Sequence, residues 1–207
     1  MALYRIQNEV IDQFIVNKSE FITYLQRVSS VDEAKAYIDS IKKLHPKATH
    51  HCQAFIIDEM NQRSNDDGEP SGTAGIPMLE ILRKREMEQV VAVVVRYFGG
   101  VLLGAGGLIR AYSKGVNDAL NTTDLYEVKL MKKSKLNVAY TYADHIERLL
   151  EDYDVLEKDY GIDVSFTYLH TNDDLVPQMN EITRGSIQIE SYDPIEIEVK
   201  VRVDKDE

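Results

Sequence analysis

The sequence predicts a mixed α+β protein made of two successive parts, an N-terminal α/β part over 1–128 and a βαββαβ part over 129–207. Three observations lead to it. Stretches of strand-like and helix-like apolar spacing interleave along the whole chain. The turn-forming run Asn121-Thr122-Thr123-Asp124 interrupts them, and a fresh pattern starts after Lys129. The charge shifts at the same place: residues 1–128 carry 14 basic and 17 acidic side chains, a net of −3, whereas 129–207 carry 10 and 18, a net of −8.

The elements follow in order. Leu3 to Val10 alternates weakly, and the extended runs Phe14 to Val16 and Glu20 to Val28 flank the turn-like Asn17-Lys18-Ser19, which predicts an antiparallel start. Ser30 reads as an N-cap with Asp32 and Glu33 in the first turn. Ala34, Tyr37, Ile38, Ile41 and Leu44 then recur at helical spacing until Pro46 forbids continuation. Thr49 to Asp58, with Ala54-Phe55-Ile56-Ile57, reads as a strand, and Glu59 to Gly75, dense in Asn, Asp, Gly, Pro and Ser, as a long loop. A helix over Ile76 to Glu88 accepts Pro77 in its first turn, and Val90 to Val95 suits a strand buried on both faces. From Gly104 or Gly106, Leu108, Ile109, Tyr112, Val116 and Leu120 describe a helix.

The second part reads as strand Lys135 to Tyr140, helix Tyr142 to Tyr153, strands Val155 to Tyr160 and Val164 to His170, helix Asn172 to Arg184 and strand Ile187 to Val203. Asn172 is the expected cap of that second helix and Gly185 its stop. The order βαββαβ in so short a stretch is the ferredoxin-like arrangement.

Composition narrows the function classes. With 43% hydrophobic and 29% charged residues the chain is globular, and no window approaches the roughly 20 apolar residues that cross a bilayer. The first residues lack a signal-peptide pattern, and the single cysteine, Cys52, cannot form an internal disulfide. The expectation is a cytoplasmic protein with no membrane association. A net charge of −11 opposes broad electrostatic attachment to nucleic acid and implies no DNA preference, so any anion-binding face is expected in the less acidic N-terminal part.

That part holds the segment Arg96 to Ser113, RYFGGVLLGAGGLIRAYS, in which a strand runs through glycines into a helix. Backbone N–H groups at a helix start, unobstructed where the neighbours are glycine, can bind an anion, and the helix dipole adds about 0.3–1 kcal/mol. Arg96, Gly99, Gly100, Gly104, Gly106, Gly107 and Arg110 are therefore the candidate anion or nucleic-acid contacts. No Gly-Lys-Ser/Thr follows, and Gly104, Gly106 and Gly107 do not fit Gly-x-Gly-x-x-Gly, so nucleotide hydrolysis and dinucleotide binding have no support. The same glycines equally suit close helix-to-sheet packing.

The loop Ser64 to Gly75 offers a second set: Asp67, Glu69, Ser71 and Thr73 could bind or polarise a ligand, although their spacing is not that of a calcium loop. His50-His51-Cys52 suggests a metal or a Cys-His pair. On a strand His50 and Cys52 share one face and His51 takes the other, so the three do not converge. No metal and no cofactor is expected, and no catalytic residue is assigned. The acidic helix Asp144 to Asp154 reads as a solvated face, and Tyr140, Tyr142 and Tyr153 as packing residues.

Three stretches together resemble the IMPACT family, in its bacterial YigZ branch: His51-Cys52-x-Ala54, the loop Ser64 to Pro77, and Arg96 to Tyr112. Lys18-Ser19-x-Phe21 is similar to that family's N-terminal motif, and Asp66-Asp67 departs from it by one additional acid. The resemblance implies an N-terminal domain with the fold shared by a ribosomal-protein domain and GHMP kinases, over 1–128. It implies a ferredoxin-like domain similar to the last domain of the ribosomal translocase over 129–207. Eukaryotic members regulate translation by competing for an activator of a starvation-sensing kinase, with a different domain in place of 130–207.

The leading expectation is a non-enzymatic regulator of translation that contacts the ribosome, its RNA or a translation factor through segment 96–113 and loop 64–77. The rival readings are an enzyme acting on a phosphorylated small molecule or nucleotide, with Asp67, Glu69, Ser71 or Thr73 as its polar groups, and a protein-interaction module. Oligomeric state is left open.

Overall fold

Residues 3–201 are described by the computed structural model, which divides into a unit of residues 3–128 with 198–201 and a unit of residues 129–197. The first unit runs β1 (Tyr4–Arg5), β2 (Val10–Val16), β3 (Ser19–Arg27), α1 (Val31–Leu44), β4 (His50–Ile56), β5 (Gln62–Asn65), α2 (Gly75–Lys84), β6 (Val90–Tyr97) and α3 (Gly104–Asn121). Five strands pair antiparallel in the order β2-β3-β6-β4-β5. The β-branched run Val90 to Val95 is the centre of this sheet and is wholly buried. Period two divides it: Val90, Ala92 and Val94 join Phe21, Met78, Leu108 and Tyr112 under α2 and α3, while Val91, Val93 and Val95 join Ile22, Ile38, Ile41 and Phe55 under α1. Helices on both faces explain why the run is apolar without alternation.

Local signals fall where the chain needs them. Ser30 Oγ accepts from the Glu33 N–H at 3.2 Å, while the Glu33 carboxylate accepts from the Ser29 N–H at 2.7 Å, closing the first turn of α1. Asn17 and Lys18 both take positive φ, 47° and 62°, in the two-residue turn joining β2 to β3. Two expectations need correction. Within the expected loop Glu59 to Gly75, Gln62–Asn65 forms β5 against Gln53 to Ile56. As an edge strand of four polar residues it carries no apolar alternation to reveal it. Helix α2 stops at Lys84 rather than Glu88, because Glu86 turns to φ 52° and sends Met87 into the core.

After α3 the chain enters β7 (Tyr126–Val138), whose start at Tyr126 precedes the expected Lys135 because its lysine-rich first half hides the strand period. Tyr126 and Glu127 pair with β1. Glu198 accepts from Arg27 at 2.5 and 2.9 Å and from Arg5 at 3.3 Å, and the Val201 N–H bonds the Leu125 carbonyl at 2.8 Å, so 198–201 group with the first unit.

The second unit continues β7 through α4 (Tyr140–Leu149), β8 (Val155–Tyr160), β9 (Val164–His170), α5 (Leu175–Thr183) and β10 (Gln188–Lys200), with strand order β10-β7-β9-β8. This is the ferredoxin-like order, and its core gathers Leu136, Val138, Ile146, Phe166, Tyr168 and Met179. Gly185, at φ 77°, ends α5 as expected. Asn172 is not its N-cap: α5 starts at Leu175, and the Asn172 side chain accepts instead from the Asp174 N–H in the preceding turn. The expected continuation of the last strand to Val203 lies outside the described residues.

Candidate functional site

The loop after β5 is tied down by its two aspartates. Asp66 reaches across the turn and accepts from the N–H groups of Gly72 (2.8 Å), Ala74 (3.0 Å) and Gly75 (2.8 Å), so a side chain from outside the helix closes the start of α2. Burial pushes its carboxyl upward, but those N–H groups outweigh it and hold the group below the usual carboxylate range. Asp67 stands at φ 43° and accepts from the His51 N–H at 2.7 Å, with Lys42 at 3.4 Å. There too burial is outweighed, and the carboxyl lies low. The Asp67 carbonyl can only accept, so His50 donates from Nδ1 at 2.9 Å, and His51 Nε2 likewise donates to the His45 carbonyl at 3.0 Å. The His50 ring thus braces the loop from one face of β4, while the His51 ring ties the other face to the end of α1. Cys52 is wholly buried, its S–H pointing at the Asp66 carbonyl, and burial pushes its thiol far up, which removes it as a nucleophile.

Glu69 and Arg96 form the floor of the site. Arg96 Nη1 donates to Glu69 Oε1 at 2.6 Å and Tyr112 O–H donates to the same oxygen at 2.7 Å. The two charged side chains are only 3% and 5% exposed, and the guanidinium lies 5.4 Å from the ring centres of both Phe21 and Phe98. Arg96 Nη2 also donates to Ser19 Oγ, which receives the Gly99 N–H. Arg96 is therefore a framework residue that binds loop, strand and glycine segment together. Its charge is met by Glu69.

The glycines divide between packing and opening. A Cβ on Gly99 would lie 2.0 Å from the Lys18 backbone, so only glycine permits that crossing. Gly104 adopts φ 69° and starts α3 without a side-chain cap: Leu103 makes no capping bond, and the first turn holds no acid. A cleft of about 370 Å³ opens there, with Gly104 and Ala105 on one wall, Gly68 to Pro70 on the other, Arg96 and Glu69 below and Phe98 and Leu102 at the rim.

The expected site residues therefore separate. Arg96, Glu69 and Gly104 share this cleft. Gly107 and Arg110 line a neighbouring one of about 400 Å³ with Phe14, Leu103 and Lys114. Gly106 lies beside the Arg110 guanidinium, and Gly100, at φ 81°, turns the segment. Asp67 turns toward β4, Ser71 is exposed, and Thr73 is spent on the Pro70 carbonyl at 2.7 Å. Residue types alone missed Asp66, Thr49, Phe98 and Leu102 as site builders. The doubled acid Asp66-Asp67 in the loop that leads to α2 was the available signal.

In the second unit a nucleophile-base pair does exist, which the sequence does not suggest: Ser134 Oγ lies 2.9 Å from His170 Nε2, and His170 Nδ1 lies 3.6 Å from Asp173 Oδ1. Nδ1 donates to the Asn172 carbonyl at 2.5 Å, and both Ser134 and His170 are buried, so the group fastens β7 to β9 and meets no substrate. Among the described residues no group of three His, Cys, Asp or Glu could hold a metal, and no helix is long and apolar enough to cross a membrane.

Comparison with known proteins gives a consistent answer. The family model of the Impact N-terminal domain matches residues 17–120. The chain is 46% identical over 184 residues to IMPACT family member YvyE of Bacillus subtilis, covering 86% of this chain and 85% of that one. It is 41% identical over 151 residues to IMPACT family member YigZ of Escherichia coli, covering 70% and 74%. A crystal structure of a hypothetical protein, 35% identical, aligns with a TM-score of 0.60 over 91% of this chain and 96% of that chain.

Proposed function

The chain belongs to the IMPACT family, and from that premise we propose that it regulates translation by binding the ribosome through RNA phosphate at the start of α3. The observation that carries the reading is the open first turn of α3 at the wall of a cleft. Its N–H groups have no side-chain cap and its first turn no acid, the Glu69 carboxylate on the cleft floor is neutralised by Arg96, and Arg110 projects from the next turn with no ion pair among the described residues. Phe98, half exposed at the rim, supplies a ring on which an unstacked base can lie. This reading rests on the helix start and Arg110 for the anion and gives Arg96 a supporting part. It suits an acidic chain, because a few placed donors replace a broad basic face.

Sedimentation of the protein with native ribosomes through a low-salt sucrose gradient tests it. Wild type should travel with ribosomal fractions and Arg110→Ala should shift to the top of the gradient. Wild type absent from every ribosomal fraction, or Arg110→Ala indistinguishable from it, overturns the reading.

One observation favours a second reading. The cleft volume falls in the small-molecule range and its floor holds Glu69 and Arg96, with Tyr112 buried behind Glu69, as an enzyme of phosphorylated metabolites would need. A thermal-shift screen with nucleotides and sugar phosphates at millimolar concentration separates the two, since only this second reading expects stabilisation by free small molecules.

A further inference from the structure

We propose that β2 is the interface of a symmetric dimer, in which two copies of this chain join their five-stranded sheets edge to edge about Gln13. Strand β2 ends the sheet order and pairs only with β3 among the described residues, which leaves its outer row of backbone N–H and C=O groups open. Exposed edges are normally guarded by Pro, by charged side chains, Lys above all, or by a bulge. The strand Val10–Val16, VIDQFIV, has no Pro, no Lys and no register break against β3, and its one charge is Asp12. Its residues alternate between two faces. Val10, Phe14 and Val16 pack toward the core beneath α3, and Asp12 shares their face by period. Ile11, Gln13 and Ile15 face the other way, with Ile11 58% and Ile15 73% exposed.

A second copy fits this edge in one register. Antiparallel pairing about Gln13 sets Val10 against Val16, Ile11 against Ile15 and Asp12 against Phe14, each with its counterpart on the same face. Moving the axis to Asp12 opposes the two Asp12 carboxylates and sets Ile15 against Glu9; moving it to Phe14 sets Ile11 against Asn17. Only the Gln13 register covers both exposed isoleucines with each other. The charges agree with it. The groove between β2 and α3 is lined by Phe14, Val16, Leu103, Gly107, Arg110 and Lys114 and by no acid. Lys114 Nζ stands 5.2 Å over the Phe14 ring. Lys114 already pairs with Asp118 one turn further along α3, so the partner's Asp12, arriving opposite Phe14, brings its carboxylate to the side of the groove that Arg110 lines.

Cross-linking reads the register directly. Cys52 is wholly buried, so an engineered thiol on β2 reacts without competition. Two Gln13→Cys copies face each other with Cβ atoms about 4.5–5.5 Å apart, close to the span of a disulfide, and should oxidise to a covalent dimer. Two Ile11→Cys copies are separated by about 13 Å along the strands and should cross-link at least tenfold more slowly, whereas a mixture of Ile11→Cys and Ile15→Cys should cross-link readily. In sedimentation velocity, wild type should move from monomer to dimer as concentration rises, and Ile15→Lys should raise the dissociation constant at least tenfold with unchanged Tm. Wild type that stays monomeric at high micromolar concentration overturns the proposal and leaves the edge to a segment of another protein. Equal cross-linking rates for Gln13→Cys and Ile11→Cys, or a dimer indifferent to Ile15→Lys, overturn it as well.

Discussion

Helices α2 and α3 both start on a glycine after a turn-rich loop and pack on the same face of one sheet, yet their first turns are opposites. The start of α2 is filled by the Asp66 carboxylate, which takes three N–H groups. The start of α3 has Leu103 before it, no acid in its first turn and a cleft beside it. Glycine alone thus does not make an anion site. What matters is whether the fold brings its own carboxylate to the helix start, and here it does so once and withholds it once.

The comparison can be broken at the framework both helices share. Arg96→Met leaves Glu69 buried without its cation, and the expected loss is about 3–5 kcal/mol in urea unfolding, the largest of the series. Asp66→Ala opens α2 to resemble α3 and should cost about 2–3 kcal/mol. Its pH signature is distinctive. Because the folded Asp66 and Asp67 carboxyls lie below their unfolded values, their contribution is present above about pH 4 and is lost as pH falls through the folded values. Thermal unfolding of wild type should therefore weaken steeply below about pH 4, and Asp66→Ala should flatten that fall. The smallest effect sharpens the contrast from the other side. Ala105→Glu gives the exposed first turn of α3 an acid, which should stabilise by about 0.3–1 kcal/mol while reducing co-sedimentation with ribosomes.

Much of the fold was legible. The Ser30 cap, the β-branched run of β6 and the βαββαβ order of the second unit each follow from a local rule of spacing or capping, and each stands in the structure. The polar edge strand β5 was not legible, because a strand of four polar residues carries no hydrophobic period. The site was legible as two segments and not as a constellation. Glu69 and Arg96 were singled out separately, with nothing to show that they neutralise each other.

By itself, then, the chain determined the periods, turns and caps that set its elements, together with the three motifs that mark its family, because those depend on neighbours within a few residues. Tertiary structure decided which residues of those motifs pair inside the fold and which line the cleft. Arg96 meets Glu69 across 27 residues, Tyr112 meets Glu69 across 43, and Ser19 meets Gly99 across 80. Partners at such separations are chosen by sheet order and strand register, which no local pattern encodes, and that choice turned Arg96 into a support and left α3 with the open end.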